Sequence, residues 1–274
     1  MLIRAAAIGD RGTAREKNDD HYCLGSFVEQ ETLTTLTVDR DSAFFRDYGL
    51  LAAVADGMGG YAGGDVASRV VLETLTALYY GETRRGCDIR ELAASLERYL
   101  QQTQKVLTKT LERSREYADA GTTLAGVALM APDYLVIFHA GDSRVLRGSA
   151  GYVRALTVDH TLLGPDVDSG LISEDDAIAR PEATQLTCSL GQKGDHRVAV
   201  NIDLAWAPGE LFLVGTDGWH GLGRGLPRAT IRTLMRKEHD AEKLAAALVR
   251  GAVAMDGQDN ATVVVVQLGE RPYP

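Results

Sequence analysis

Aspartates at the ends of strand-like segments, some after and some before the segment, are the residues of this sequence best suited to chemistry. Each stands next to a glycine, an asparagine or another acid, where a strand-like segment meets a turn. The six candidates are Asp19, Asp20, Asp56, Asp142, Asp217 and Asp259. Carboxylates brought together repel one another and raise each other's pKa unless cations neutralise them. All-oxygen ligand sets suit hard cations such as Mg²⁺ and Mn²⁺, so the six acids together predict a divalent-cation site.

Each acid also has a plain structural interpretation. An isolated Asp-Gly pair is typical of a turn, and Asp142 in its GDSR segment fits the cap of a hairpin. Asp259, followed by Asn260, fits the same turn chemistry. Only the joint occurrence of the acids favours a functional site.

The apolar segments before and after these acids are predicted strands. LLAAVAD (50–56) and LFLVGTD (211–217) indicate buried strands, and ATVVVVQL (261–268) closes the chain as another. Further strands are expected at 2–8, 20–25, 121–130, 133–140 and 143–147. We expect 20–25 to pair with 2–8, and the partly alternating run Thr32–Val38 to belong to an extended hairpin within 26–49.

Amphipathic spacing predicts two long helices at 65–80 and 88–116. Asp65 is the expected N-cap of the first, and Asp88 with Glu91 forms the expected capping box of the second. Further helices are expected at 173–179, 227–238 and 240–254. Strands at both ends of the chain with helices between them predict an α+β fold in which helices cover packed sheets.

The composition is that of a folded acidic protein. The 274 residues are 45% hydrophobic and 24% charged, which excludes a disordered chain, and the net charge of −9 argues against nucleic-acid binding. Three scattered cysteines without a CxxC pair argue against a disulfide framework or a zinc site. No apolar run approaches 18 residues. A soluble, cytoplasmic protein without membrane association is therefore expected.

Eight segments, in this order, resemble the protein phosphatase 2C family of metal-dependent Ser/Thr protein phosphatases in its bacterial form. They are REKNDD (15–20), VADGMGG (54–60), GGDVAS (63–68), AGTTLAG (120–126), AGDSRVLR (140–147), LTVDHT (156–161), APGELFLVGTDGW (207–219) and GQDNATVVVV (257–266). The resemblance implies a four-layer α-β-β-α sandwich of two mainly antiparallel sheets flanked by helices. It further implies one catalytic domain over 1–274, with a flap at about 162–190.

The resemblance also implies metal ligands at one end of the sandwich. Asp56 would bridge two metals, and the Gly57 carbonyl would bind the second. Asp217 and Asp259 would complete the first. Asp19 stands where the family usually has Glu, and its shorter side chain predicts a contact through water. Two Mn²⁺ or Mg²⁺ ions are thus expected.

Three further roles are implied by the same resemblance. Asp142, with Asp217, would hold a weaker third metal. Arg15 would bind the substrate phosphate with its planar fork, and Asp20 would orient a metal-bound water. The implied reaction is hydrolysis of phosphoserine and phosphothreonine in proteins by a hydroxide shared between the metals. The implied partners are phosphoproteins and a bacterial Ser/Thr kinase pathway, and the protein is expected to be a monomer.

Some interpretations stay open at the level of sequence. Met58 stands where some eukaryotic members have a histidine general acid. His160 is one alternative acid, although a role in bracing its own loop is favoured. Arg180, where bacterial members often have histidine, either helps to select the substrate or is merely solvated. The Asp19 replacement leaves room for a phosphoprotein-binding regulator without turnover, and a phosphoesterase acting on small phosphates is a third interpretation.

Overall fold

Two antiparallel β-sheets packed face to face, each covered by helices on its outer side, form this computed structural model. The structure describes residues 1–59, 63–149, 152–191, 196–203 and 206–270. Gly60, the last residue of the VADGMGG segment, lies outside the described residues. The predicted α+β fold with four α-β-β-α layers is confirmed.

The strands of the described ranges are numbered in chain order. They are β1 Leu2–Asp10, β2 Asp20–Leu24, β3 Phe27–Glu29, β4 Thr34–Asp39, β5 Leu50–Met58, β6 Gly121–Thr122, β7 Leu124–Met130, β8 Tyr134–Ala140, β9 Arg144–Gly148, β10 Val153–Ala155, β11 Ala199–Asp203, β12 Leu211–Gly215, β13 Arg224–Gly225 and β14 Ala261–Leu268. The first sheet has the order β10-β9-β12-β14-β1-β4. The second has the order β11-β8-β7-β5-β2-β3, with β6 paired to β5.

The helices cover the two outer faces. They are α1 Ala43–Tyr48, α2 Gly63–Gly81, α3 Ile89–Leu111, α4 Gly164–Asp168, α5 Glu174–Ile178, α6 Asp217–His220, α7 Arg228–Lys237 and α8 Ala241–Met255, with 3₁₀ turns at Arg115–Tyr117 and Pro181–Thr184. Helices α2 and α3 pack on the second sheet, and α7 and α8 pack on the first. No helix within the described residues combines the length and apolar character needed to cross a membrane.

The central strands read as continuous apolar runs because both of their faces are buried. In β5, Leu50, Ala52 and Val54 point into the core between the two sheets. The intervening Leu51 and Ala53 face the helices α2 and α3. Alternate residues of β14 likewise enter the inter-sheet core and the core beneath α8. Each of these strands therefore runs through the buried core to the end of its sheet, where the acids lie.

Two predicted strand pairings are wrong. Strand β1 pairs with β14 and β4, whereas β2 (20–24) lies in the other sheet beside β5. The segment 26–49 is no hairpin, because β3 pairs with β2 and β4 pairs with β1. Alternation identifies a strand by its buried face, but the neighbour is chosen by long-range packing. The segment therefore crosses from one sheet to the other.

Some predicted boundaries also move. The helix expected at 65–80 begins at Gly63, so Asp65 lies in its first turn and is not the N-cap. The capping box of Asp88 and Glu91 is confirmed. That helix ends at Leu111, however, because Ser114 caps a separate 3₁₀ turn. The strand expected at 211–217 ends at Gly215, and Asp217 begins the short helix α6.

Candidate active site

Asp20 and Asp56 lie opposite each other on the neighbouring strands β2 and β5. Asp20 is fully buried, and its Oδ2 accepts a hydrogen bond from the Thr216 hydroxyl at 2.8 Å. The backbone of Asp56 is held on both sides by Thr123, whose hydroxyl accepts from the Asp56 N–H at 3.1 Å and whose own N–H donates to the Asp56 carbonyl at 2.9 Å. The two carboxylates therefore rest on a rigid sheet end.

The turn from β5 into α2 depends on a close approach of two backbones. A Cβ atom on Gly64 would lie 2.8 Å from the Gly57 carbonyl oxygen, so no side chain fits there. The Gly57 N–H in turn donates to the Asp19 carbonyl at 3.2 Å. This packing places Asp19, Gly57 and the first turn of α2 side by side.

Asp217 and Asp259 come together because β12 and β14 are neighbours. Asp217 begins α6, directly after β12, and Asp259 lies in the turn before β14. A Cβ on Gly218 would lie 3.1 Å from the Cβ of Asp259, so the two turns touch. Both carboxylates are only partly exposed, at 17% for Asp217 and 15% for Asp259.

The GDSR segment brings Asp142 to the same end of the sandwich. The Ser143 hydroxyl lies 2.7 Å from the hydroxyl of Thr123, the residue that also holds the Asp56 backbone, so the β8–β9 turn is linked to β5 through Thr123. Arg144 forms a buried two-bond ion pair with Asp159, at 2.8 and 2.6 Å. The motif thus contributes one acid to the cluster and anchors the segment that leads into residues 162–190, the predicted flap.

Burial and mutual repulsion raise the pKa values of four of these acids, Asp20, Asp56, Asp142 and Asp217. Burial is the main cause at Asp56, Asp142 and Asp217, and at each of them neighbouring carboxylates add to the effect. Burial also raises the pKa of Asp20 to about 8, against the hydrogen bond from Thr216. Several carboxylates are therefore close enough to require positive charge among them.

The donor chemistry fits divalent cations. One oxygen of Asp20 and one of Asp217 are buried without a hydrogen-bond partner, a condition that natural proteins rarely leave uncompensated. Among the described residues, no three acid, histidine or cysteine side chains already form a closed ligand set. Instead, the guanidinium of Arg15 lies 2.7 Å from the Asp259 carboxylate, and Arg224 donates to the same carboxylate.

Asp19 lies at the edge of the acid cluster. Burial and the charge of Asp65 raise its pKa, and the Asp65 backbone partly offsets this rise. The Asp19 carboxylate is therefore affected by the start of α2. The contact through water expected of Asp19 stays a prediction.

Similarity to known proteins adds to this geometry. A sequence model described as Protein phosphatase 2C matches residues 37–250. The chain belongs to the protein phosphatase 2C family. The predicted family and the predicted class of enzyme, a Ser/Thr protein phosphatase, are thereby confirmed.

Three relatives illustrate how far the similarity extends. Serine/threonine phosphatase stp of Listeria innocua is 28% identical over 258 residues, which cover 94% of this chain and 93% of the relative. The Ser-Thr phosphatase MsPP of Mycobacterium smegmatis, solved with cacodylate, is 28% identical, with a TM-score of 0.74 and coverage of 97% and 98%. The catalytic domain of PstP, solved with two manganese ions, is 25% identical, with a TM-score of 0.73 and coverage of 98% and 100%.

Asn260 holds two loops of the site together, a role that the sequence did not predict. From the sequence, Asn260 was expected only to form a turn with Asp259. Its buried amide donates to the carbonyls of Arg11 and Lys17, both at 2.9 Å, and accepts from the Asp19 N–H at 2.9 Å. These bonds tie the loop that carries Arg15 to the turn that carries Asp259. A single asparagine after an aspartate was the only sequence signal.

Two histidines near the site, His139 and His160, make contacts that hold the surrounding loops in place. His160 accepts from the Gly141 N–H at 3.4 Å, and its ring lies 4.3 Å from that of His139. The backbone of His160 bonds to Gly141 and Thr187. These contacts favour a role for His160 in bracing its own loop over a role as general acid. His139 is buried and forms a hydrogen bond with the Val158 carbonyl. Arg180 is exposed at the start of a 3₁₀ turn in the flap region.

Proposed function

We propose that this protein hydrolyses phosphoserine and phosphothreonine in proteins with the help of two Mn²⁺ or Mg²⁺ ions. The observation that carries the proposal is the convergence of acids from separate segments of the chain at one end of the sandwich, beside Arg15. These acids are Asp20, Asp56, Asp142, Asp217 and Asp259. The PstP catalytic domain with two manganese ions supports the choice of cofactor.

The residues proposed to hold the two cations are Asp56, the Gly57 carbonyl, Asp217 and Asp259, with Asp19 acting through water. Asp142, with Asp217, is proposed to hold a weaker third cation. When bound, such cations lower the pKa of a bound water and offset the charge of the phosphoryl group. The carboxylates supply the hard oxygen donors that these ions prefer.

Arg15 and Asp20 are proposed to act on phosphate and water. The Arg15 side chain is 53% exposed at the mouth of the site, so its guanidinium can grip two phosphate oxygens in a planar fork. Asp20 is fixed by Thr216 and opposite Asp56. We assign it the orientation of the attacking water.

The proposed substrates are phosphoproteins made by a bacterial Ser/Thr kinase. We propose one catalytic domain, a monomer and action in the cytoplasm. The alternative is a regulator that binds phosphoproteins without turnover, which the edge position of Asp19 leaves open. The intact set of Arg15, Asp56, Asp217 and Asp259 favours the enzyme.

The experiment measures phosphate release from a phosphothreonine peptide with Mn²⁺, with Mg²⁺ and with a chelator. Asp217→Asn is compared with wild type and with Asp41→Asn, which changes an aspartate that is 74% exposed and pairs with the amino group of Met1. We expect metal-dependent turnover that falls roughly 100-fold or more in Asp217→Asn and is unchanged in Asp41→Asn. A folded, metal-saturated wild type without turnover would contradict the enzyme and favour the regulator.

A further inference from the structure

A short hairpin after α6 places one more arginine at the acid cluster. Gly221 pairs with Arg224, and His220 pairs with Gly225. The turn that closes the hairpin contains Gly223 at φ 76°, a left-handed conformation that other residues rarely adopt. The Leu226 N–H donates to the Trp219 carbonyl at 2.8 Å. Arg224 therefore projects from a fixed turn.

Arg224 and Arg15 meet on the same carboxylate, although they are far apart in the chain. Arg224 donates to Oδ2 of Asp259 and lies 3.9 Å from Oδ2 of Asp217. Arg15 approaches the Asp259 carboxylate at 2.7 Å. Both guanidiniums reach solvent, since the Arg224 side chain is 36% exposed and that of Arg15 is 53% exposed. Two planar, positively charged guanidinium groups therefore lie on the solvent-exposed side of the acid cluster.

The positive charges of Arg15 and Arg224 suit the binding of a phosphate monoester. The proposed function assigns the oxygens of Asp217 and Asp259 to cations, and these are the oxygens that Arg224 now approaches. Cations bound to those oxygens would compete with both guanidiniums for the carboxylates and would leave Arg15 and Arg224 available to another anion. Two planar guanidiniums side by side match the several oxygens and double negative charge of a phosphate monoester.

The flap region lies against the same hairpin. A Cβ on Gly223 would lie 2.9 Å from the side chain of Ile178 in α5. Glu174, at the start of α5, pairs with Arg228 at 3.3 Å. Arg224 therefore stands between the acid cluster and the flap.

We propose that Arg224 is a second phosphate-binding residue, which acts with Arg15 on the phosphoryl group of phosphoserine and phosphothreonine. This inference rests on the proposed function. It assigns to the hairpin 220–225 a role in substrate affinity and not in metal binding.

The test separates phosphate binding from metal binding. Arg224→Ala, Arg224→Lys and Arg15→Ala are compared with wild type. Arg232→Ala, an exposed arginine on α7, is the matched control. Calorimetry measures Mn²⁺ binding, and then the binding of inorganic phosphate to the Mn²⁺-loaded protein. Kinetics give KM and kcat for a phosphothreonine peptide.

We expect Arg224→Ala to weaken phosphate binding and raise KM roughly 10-fold or more, because charged hydrogen bonds are lost. Mn²⁺ binding should be as tight or tighter, since a positive charge has been removed from beside the ligands. Arg224→Lys should be intermediate, because it keeps the charge and loses the fork. Arg232→Ala should behave as wild type.

Two results would overturn the proposal. One is phosphate binding and KM within twofold of wild type in Arg224→Ala. The other is a parallel loss of Mn²⁺ and phosphate binding, which would assign Arg224 a structural role at the metal site. Calorimetry needs no turnover, so weaker phosphate binding in Arg224→Ala supports the proposal even where the wild type proves inactive and the proposed function fails.

Discussion

At the residue scale, the site gathers buried carboxyl groups whose negative charges repel one another. Asp20 shows this most clearly, because it is fully buried with one oxygen unpartnered. A buried carboxylate without a counter-charge takes up a proton more readily. The same residue that prepares the site for cations therefore makes the metal-free protein sensitive to pH.

We predict that Asp20→Asn flattens the pH dependence of stability in the presence of a chelator. The Asp20 pKa is about 8 in the folded protein, against an ordinary value of 3.8. Between these values the folded state holds a proton that the unfolded state has lost. The contribution of Asp20 to the free energy of unfolding therefore falls as the pH rises from about 4 to about 8.

Urea unfolding of both proteins from pH 5 to pH 8 measures this effect as a difference. Burial lowers the pKa values of His21 and His139 to about 4. Those histidines act in the opposite direction, but they are common to both proteins and cancel. Parallel pH profiles for wild type and Asp20→Asn would contradict the prediction.

At the element scale, the start of α2 matters more than the helix as a whole. Gly64 packs against the backbone of Gly57, beside Asp56 and Asp19. At the other end of the same helix, a Cβ atom on Gly81 would point into open space, with no packed neighbour among the described residues within 4 Å. These two glycines of α2 therefore differ in their tolerance of a side chain: residue 64 has no room for one, whereas residue 81 does.

We predict that Gly64→Ala lowers both the melting temperature and the affinity for Mn²⁺, whereas Gly81→Ala leaves both nearly unchanged. The added methyl group at residue 64 must push the helix away from the strand that carries Asp56. At residue 81 it meets open space and reduces only the freedom of the unfolded chain. Calorimetric Mn²⁺ titration and thermal melts measure both. Wild-type Mn²⁺ affinity in Gly64→Ala would show that this approach is not needed.

At the scale of the whole molecule, the acid cluster joins the two sheets. Asp20 and Asp56 come from one sheet, and Asp217 and Asp259 flank strands of the other. A cation bound across them would link both halves of the sandwich. The net charge of −9 on the chain also favours the binding of a cation.

We predict that Mn²⁺ raises the melting temperature of the wild type and that a chelator reverses the rise. A ligand that binds only the folded state at 100 times its Kd adds about 2.7 kcal/mol to the free energy of unfolding. Asp217→Asn should show a smaller rise at the same Mn²⁺ concentration. Equal melting temperatures with Mn²⁺ and with chelator, in protein otherwise folded, would contradict a metal site that joins the sheets.

Local sequence by itself determined the elements with the strongest patterns. Strand β14 was predicted with its observed ends, because both of its faces are buried and four consecutive valines form its centre. The capping box of Asp88 and Glu91 was equally predictable, since all its bonds lie within four residues. The ordered motifs likewise identified the family and the candidate acids, because the residue types themselves carry that information.

Only the tertiary structure decided which strands are neighbours and which side chains meet. The strand at 20–24 joins β5 and not β1, because pairing depends on packing between distant segments. Asp217 begins a helix, and this places it against the turn of Asp259. Arg224 carries no local signal, since a lone arginine among glycines is ordinary in sequence. It reaches Asp259 only because the hairpin and the start of β14 fold together.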